Sequence, residues 1–413
     1  MSLIRPFTGL RPAAGRAADV IAPPYDVLST AEARERAQGK PWSFLHISKP
    51  EIDLPQDTDP YSPAVYAKAK ENFEHMLKQG VLQRDAESYY YVYRLIMGTH
   101  QQTGIVAAAS VPDYDSNRIR KHEFTRPDKE DDRVRQIDAL QAQTGPVFLT
   151  YRRSAAVDAI IENISRGVAD VDVTADDQVR HTLWVMRDRP QINAITAAFD
   201  AMPCLYIADG HHRSAAASRV AAARRERNPK HHGAEPYNYF LAVVFPDRQM
   251  QILDYNRVIK DLNGLTPQQF LQGIENAFSV AREAAAVKPK KTGEFGLYLQ
   301  GQWYRLQIKP ERIPQNDPVK RLDVSLLQDN LIAPILGIDD PRRDKRIDFV
   351  GGIRGLKELE CRVDSGEMMC ALSFYPTSIT DLMSVADAGQ VMPPKSTWFE
   401  PKLADGLVSH ILD

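Results

Sequence analysis

Cysteine is scarce in this chain: Cys204, Cys361 and Cys370 are spread over 413 residues. That number cannot make a disulfide framework, and the absence of CxxC spacing argues against a structural zinc site. Long apolar runs are also missing. No stretch of about 18 apolar residues occurs, which excludes a helical membrane span on sequence grounds. The N-terminal segment MSLIRPFTGLRPAAGRAADVIAPPYDV lacks the apolar core of a signal peptide, so a cytoplasmic protein is expected. Charge of one sign is not in excess. The 52 Lys and Arg nearly balance 54 Asp and Glu, a net charge of −2, which argues against nucleic acid and anionic membranes as partners. GxSxG, HExxH and GxGxxG are absent, as are internal repeats and low-complexity tracts.

What remains is ordinary globular composition, 43% hydrophobic and 26% charged, at a length suited to two or three domains. The alternation of strand and helix patterns predicts an α+β fold with mixed sheets and flanking helices. A change of pattern places a boundary near 262, giving a core domain over 1–262 and a smaller α+β part over 263–413, whose Lys395-Ser396-Thr397 loop is expected to return to the core domain's site. Ser29 or Thr30 is expected to cap a helix over AEARERAQ, and residues 61–80 read as an amphipathic helix ending at Gly80. WSFLHIS reads as a short buried strand. SYYYVYRLIMG and GIVAAASVPDY read as strands joined by THQQT, PVFLTYR and DDQVRHTLWVM as further strands, and AAVDAIIENISRG and RPQINAITAAFDAM as helices. NYFLAVVFP and MQILDYNRVI read as a strand pair, GEFGLYLQGQWYRLQIK as a hairpin, TPQQFLQGIENAF and VSLLQDNLIAPILG as helices, and the C-terminus as a last helix.

The most informative segment is PCLYIADGHHRSAAASRVAAARRERN. An apolar strand runs into an alanine-rich helix through Asp209-Gly210-His211-His212-Arg213. Such a turn presents backbone N–H groups and the positive end of the helix dipole, a geometry that binds phosphate. Gly210 permits close approach or positive φ. Arg213 can clamp a phosphate, Asp209 can hold Mg²⁺ or orient a histidine, and His211 or His212 can face a ligand. His122-Glu123-Phe124-Thr125-Arg126 is a second candidate: His122, Thr125 and Arg126 suit phosphate contacts, and Glu123 suits a general base. Asp26, on the irregular loop after Pro23-Pro24, is a candidate metal or substrate contact. Arg257, inside an apolar strand, needs an anionic partner, either a protein carboxylate or a ligand phosphate. Lys395, Ser396 and Thr397, with Lys402 nearby, suit phosphate contacts although the P-loop glycines are missing. His46 reads as a core histidine, and His231-His232 as solvated.

The ordered set APPYDV, SFLHISKPE, HEFTRP with DDR, GPVFLTYR, IADGHHRSAAA, YNYFLAVVFP, YNRVI, LLQDNLIAPILGI and MPPKSTWFEPKLADGL resembles the bacterial and archaeal domain-of-unknown-function family 1015 over essentially the whole chain. The DGHHR turn also resembles that of free-serine kinases of the ParB/sulfiredoxin-like superfamily. That resemblance implies a ParB/sulfiredoxin-like core, a phosphate donor (ATP, ADP or pyrophosphate) and Mg²⁺ near Asp209. It also implies a carboxylate that activates a serine hydroxyl. In those kinases this is a glutamate near the N-terminus; here the N-terminal motif offers Asp26, with Glu123 the other candidate. The leading expectation is a small-molecule kinase acting on a hydroxyl such as that of L-serine. A nucleotide-binding ParB-like regulator and a metal-dependent hydrolase built on His122, His211, His212 and Asp209 are the alternatives.

Overall fold

The computed structural model describes residues 2–413. The chain divides into two compact units, one built from the chain up to Met250 together with Pro401–Asp413, the other from Gln251–Glu400. The division therefore falls twelve residues before the expected 262, and the last thirteen residues return to the first unit. The cause is strand pairing. Tyr255–Ile259 pairs with Ile347–Gly351 and Cys370–Phe374, deep in the second unit. Ser409–Ile411 pairs with Gly9–Pro12 and Ala142–Gln143 in the first.

The first unit is built on a mixed nine-stranded sheet. Along its main path the order is Ile119–Arg120, Leu205–Asp209, Val147–Tyr151, Tyr239–Pro246, His100–Ser110, Tyr90–Met97, Arg180–Met186 and Val171–Thr174, with Ile4–Arg5 joined to His100–Ser110. Two pairings are parallel: Leu205–Asp209 with Ile119–Arg120, and Tyr239–Pro246 with Val147–Tyr151. The central strands are apolar on both faces, as strands covered on both sides must be. Tyr90, Leu149, Ile207 and Phe240 share one core with Ala217 and Ala221 of the helix His211–Arg227. The second unit carries a six-stranded antiparallel sheet containing the expected hairpin, Glu294–Leu299 with Gln302–Ile308. Among the described residues no helix is long and apolar enough to cross a membrane.

Most expected elements form, and the α+β class with mixed sheets holds. Three local readings are corrected. Trp42–Ser48 is not a strand: Leu45–Ser48 is a helical turn. The C-terminus ends in the strand Ser409–Ile411 rather than a helix. Tyr239–Pro246 and Tyr255–Ile259 do not pair with each other, because each joins the sheet of a different unit. Of the two expected caps, Ser29 and Thr30, Ser29 serves, in a full capping box with Glu32.

Candidate functional site

Only Gly210 separates the strand Leu205–Asp209 from the helix His211–Arg227. The helix forms because alanine and arginine dominate it, and Arg224, Arg225 and Arg227 in the last turn match its negative end. Strand register shifts between Ile207 and Asp209. Such a bulge bends the strand and re-aims the next side chain. Gly210 then takes φ 97° and ψ 28°, a conformation costly to any residue with a Cβ. An added Cβ would also lie 3.2 Å from the guanidinium carbon of Arg213 and 3.3 Å from Val147 Cα. A glycine here has no side chain to cap the helix, and no side-chain cap bond is made. The first-turn amides keep their donor capacity at the positive end of the dipole.

Charged groups gather at this helix start. Asp209 Oδ1 accepts the Gly210 N–H at 2.8 Å, while Oδ2 lies 3.2 Å from Lys402 Nζ and 3.6 Å from Arg213 Nη2. Burial pushes the Asp209 carboxyl up, but Lys402 and Arg213 together hold it well below the ordinary carboxylate range. Asp26 sits in the turn Tyr25–Val27, and its Oδ2 is 3.8 Å from Arg213 Nη2. Arg213 also donates to the Pro146 carbonyl. Burial pulls its pKa down, yet Asp209 and Asp26 raise it further, so the guanidinium stays charged. The expected outward clamp is thus an inward one: Arg213, only 10% exposed at its side chain, ties Asp26 to Asp209.

The second motif reaches the same place. The His122 amide donates to His211 Nε2 at 3.4 Å, and the two rings meet edge to face at 4.4 Å. His211 Nδ1 is 3.8 Å from Glu123 Oε2, and the Arg126 amide donates to His212 Nε2 at 3.1 Å. Burial keeps His122 neutral, lowering it to about 4, against the opposing pull of the Ile207 backbone and Asp209. Burial, reinforced by neighbouring His122, also holds His211 well below its ordinary value. Thr125 is committed elsewhere: its hydroxyl donates to Glu130 in the first turn of Pro127–Leu140. The Arg126 guanidinium pairs with Asp128 at 2.8 Å.

Behind these groups lies a polar layer; Tyr25, Asp132 and Arg133 stand in the APPYDV and DDR motifs, whereas Tyr66 and Asp405 carry no sequence signal of their own. Arg133 stacks 3.9 Å from the Tyr25 ring centre and pairs with Asp132 at 2.7 Å; Asp132 also accepts the Tyr66 hydroxyl at 2.8 Å. Asp405 is 2% exposed and lines a small cavity with Tyr25, Arg133, Gly145 and Arg213. Burial raises its carboxyl to about 7 although Arg213 pulls it down. The sign of the linkage follows. Folded Asp405 holds its proton more tightly than the unfolded chain does. Its contribution to stability is therefore complete below about pH 4 and is lost as pH rises through 7. Relative to the parent chain, Asp405→Asn should gain stability between pH 5 and 8, by up to about 4 kcal/mol at three pKa units. Thermal unfolding midpoints of both proteins across that range check it; a constant difference would contradict it.

Asp26, His122, Glu123, Arg126, Asp209, Gly210, His211, His212 and Arg213 therefore converge in the first unit, joined by Lys402, Arg133 and Asp405. Arg257, Lys395, Ser396 and Thr397 belong to the second unit. There Ser396 Oγ donates to the Pro393 carbonyl at 2.6 Å and Thr397 is half-buried. Lys395 takes a positive φ of 58°.

Asp209 carries carboxylate oxygens of the kind that Mg²⁺ takes, and a nucleotide-bound Mg²⁺ draws most of its shell from phosphates and water. The residues present fit such an ion and fit a phosphate at the uncapped helix start. His122, Glu123 and His211 form a second group whose potential ligand atoms all lie within 4.8 Å of one another.

A family model described as "Protein of unknown function (DUF1015)" matches residues 4–325. No curated protein matches the chain. Among solved structures, a conserved hypothetical protein from Pyrococcus furiosus is similar at 14% identity and TM-score 0.36, covering 73% of this chain and 93% of that one. A free serine kinase in complex with AMP is similar at 11% identity and TM-score 0.37, covering 73% and 92%. SbnI with C-terminal truncation from Staphylococcus aureus is similar at 10% identity and TM-score 0.36, covering 73% and 85%.

Proposed function

The chain belongs to the family of proteins of unknown function DUF1015, and from the chemistry of its first unit we propose that it is a phosphotransferase. It moves a phosphoryl group from ATP, ADP or pyrophosphate to the hydroxyl of a small molecule, with L-serine the acceptor to test first. One observation carries this reading. Four separate stretches of the sequence bring carboxylates, histidines and a lysine to a single uncapped helix N-terminus. Phosphoryl transfer needs mostly positioning and charge neutralisation, and these groups supply both. The amides of His211 and His212 receive the donor's phosphate. Lys402 adds positive charge beside Asp209. Mg²⁺, held by Asp209, would neutralise phosphate oxygens when bound. Asp26 or Glu123, both exposed, accepts the proton of the acceptor hydroxyl. Arg213 positions the two aspartates rather than touching substrate. The resemblance of the DGHHR turn to that of free-serine kinases points to the same chemistry. The test is incubation of the full chain with L-serine, Mg²⁺ and each donor in turn. O-phosphoserine should form with one of them, and no transfer with any donor removes the reading.

The hydrolase alternative draws on the His122–Glu123–His211 group, where His122 Nδ1 is buried without a hydrogen-bond partner. Against it stands the His211 ring. Nε2 accepts the His122 amide, which puts the ring proton on Nδ1, so neither nitrogen offers a metal a lone pair. Protein purified without added metal or chelator is expected to carry no stoichiometric transition-metal ion. One tightly held ion per chain, measured by plasma mass spectrometry, would favour the hydrolase.

A further inference from the structure

Arg257 lies on the strand Tyr255–Ile259, paired on both sides within the second unit's sheet. It is 5% exposed. A charge so placed ordinarily faces an opposite charge. Arg213 and Arg133 in the first unit do so, against aspartates. Arg257 does not. Its Nη1 donates to the Tyr255 carbonyl and its Nη2 to the Lys395 carbonyl at 3.0 Å. Its flanks are the Phe349 and Phe374 rings, 5.1 and 4.6 Å from the guanidinium carbon. A guanidinium carries five N–H donors; two are used, which leaves three. Among the described residues no carboxylate pairs with it. Burial accordingly lowers its pKa to about 9, and only Tyr255 acts the other way. The neighbouring Asn256, by contrast, is satisfied on both sides, accepting the Phe374 amide at 3.0 Å and donating to Asp254 at 2.5 Å.

Arg257 lines a cavity of about 290 Å³, walled by Val324, Ile332 and Ile347, with Pro393 and Pro394 at one side and Asp339 and Arg342 among its polar groups. The two prolines precede Lys395, whose positive φ turns its carbonyl onto Arg257. The guanidinium is thus fixed in place by backbone and aromatic contacts, with donors left over at the wall of a cavity that Asp339 and Asp340 also line. We propose that this cavity binds a small oxyanion, a phosphoryl or carboxylate group, through Arg257. The site is contained within the second unit and does not rest on the phosphotransferase reading.

Selenate soaked into crystals of the full chain tests it directly, because selenium is located by its anomalous signal. A peak within about 4 Å of the Arg257 guanidinium is expected. Calorimetric titration with inorganic phosphate and, separately, with succinate then distinguishes a phosphoryl from a carboxylate ligand. Arg257→Met should abolish the binding heat of whichever anion binds. It should fold, since exchanging an unpaired buried charge for an apolar side chain of similar length is neutral or stabilising. Asp339→Asn, at an exposed lining position, removes a repelling charge and should tighten binding by roughly two- to fivefold at low salt. Selenate absent from this cavity, or anion binding of unchanged strength in Arg257→Met and Asp339→Asn, overturns the proposal. Both readouts are independent of phosphoryl transfer, so the two assignments fail separately.

Discussion

Arg213→Met is expected to lower the stability of the chain by about 3–5 kcal/mol, the usual cost of removing one partner from a buried ion network. Arg213 faces Asp209 at 3.6 Å and Asp26 at 3.8 Å, donates to the Pro146 carbonyl, and pulls down the pKa of buried Asp405. Methionine keeps most of the volume but leaves aspartates facing each other with Arg133 and Lys402 as the remaining nearby positive charges. Asp405 would then hold its proton still more tightly, so the loss should be larger at pH 8 than at pH 5. Arg213→Lys should recover part of the stability, because a point charge survives while the fork that spans two carboxylates and a carbonyl is lost. Thermal unfolding followed by circular dichroism reads this as a drop of roughly 10 °C or more. A midpoint within about 2 °C of the parent would mean that Arg213 does not organise the site.

Asp209→Asn is expected to reduce phosphoryl transfer by about 1,000-fold or more, the scale seen when a charged positioning group is removed from a transition state. The substitution keeps the shape and the acceptor for the Gly210 N–H but removes the negative charge that faces Lys402 and Arg213. Its effect should fall on kcat more than on KM for the acceptor, because the acceptor proton is taken by Asp26 or Glu123 instead. A second consequence is pH-dependent. The Asp209 carboxyl is depressed in the folded chain, so it stabilises above its ordinary pKa of 3.8, and that contribution disappears as pH falls. The variant should therefore unfold at a less acidic-sensitive midpoint than the parent below pH 4. Initial rates with saturating donor, together with acid titration of both proteins, check the two claims; transfer within about threefold of the parent would remove Asp209 from the reaction.

The central turn was legible because everything that makes it is local. The apolar strand Leu205–Asp209, the glycine, and the alanine-rich helix occupy consecutive positions, and the strand and helix periods meet where the polar residues stand. A helix cap at Ser29 or Thr30 is legible for the same reason, and Ser29 makes it. Misreadings came from segments too short to carry a period. WSFLHIS is apolar enough for either a strand or a helical turn, and packing of Phe44, Leu45 and Ile47 in a core with Phe73 and Met76 decided it. VSHIL, read as part of a last helix, is a strand because Gly9–Pro12 supplies a partner some 400 positions away. Lys402 stands near Lys395 in the sequence, yet it contacts Asp209 from 193 positions downstream, a pairing no local pattern encodes. Asp405 gave no signal at all: its importance comes from burial beside Arg213, which depends on the return of Pro401–Asp413 to the first unit. Arg257 shows the opposite case. The sequence raises the question of its counter-ion, and the protein provides none among the described residues.

The central claim is that the uncapped amides after Gly210 grip a phosphate. Its most direct measurement is a crystal structure of the full chain with ADP and Mg²⁺. The account predicts a phosphate whose oxygens accept the His211 and His212 amides at about 2.8–3.0 Å, with the ion on Asp209. Nucleotide density whose phosphates lie away from this helix start, or a site that stays solvent-filled at saturating ADP, would contradict it.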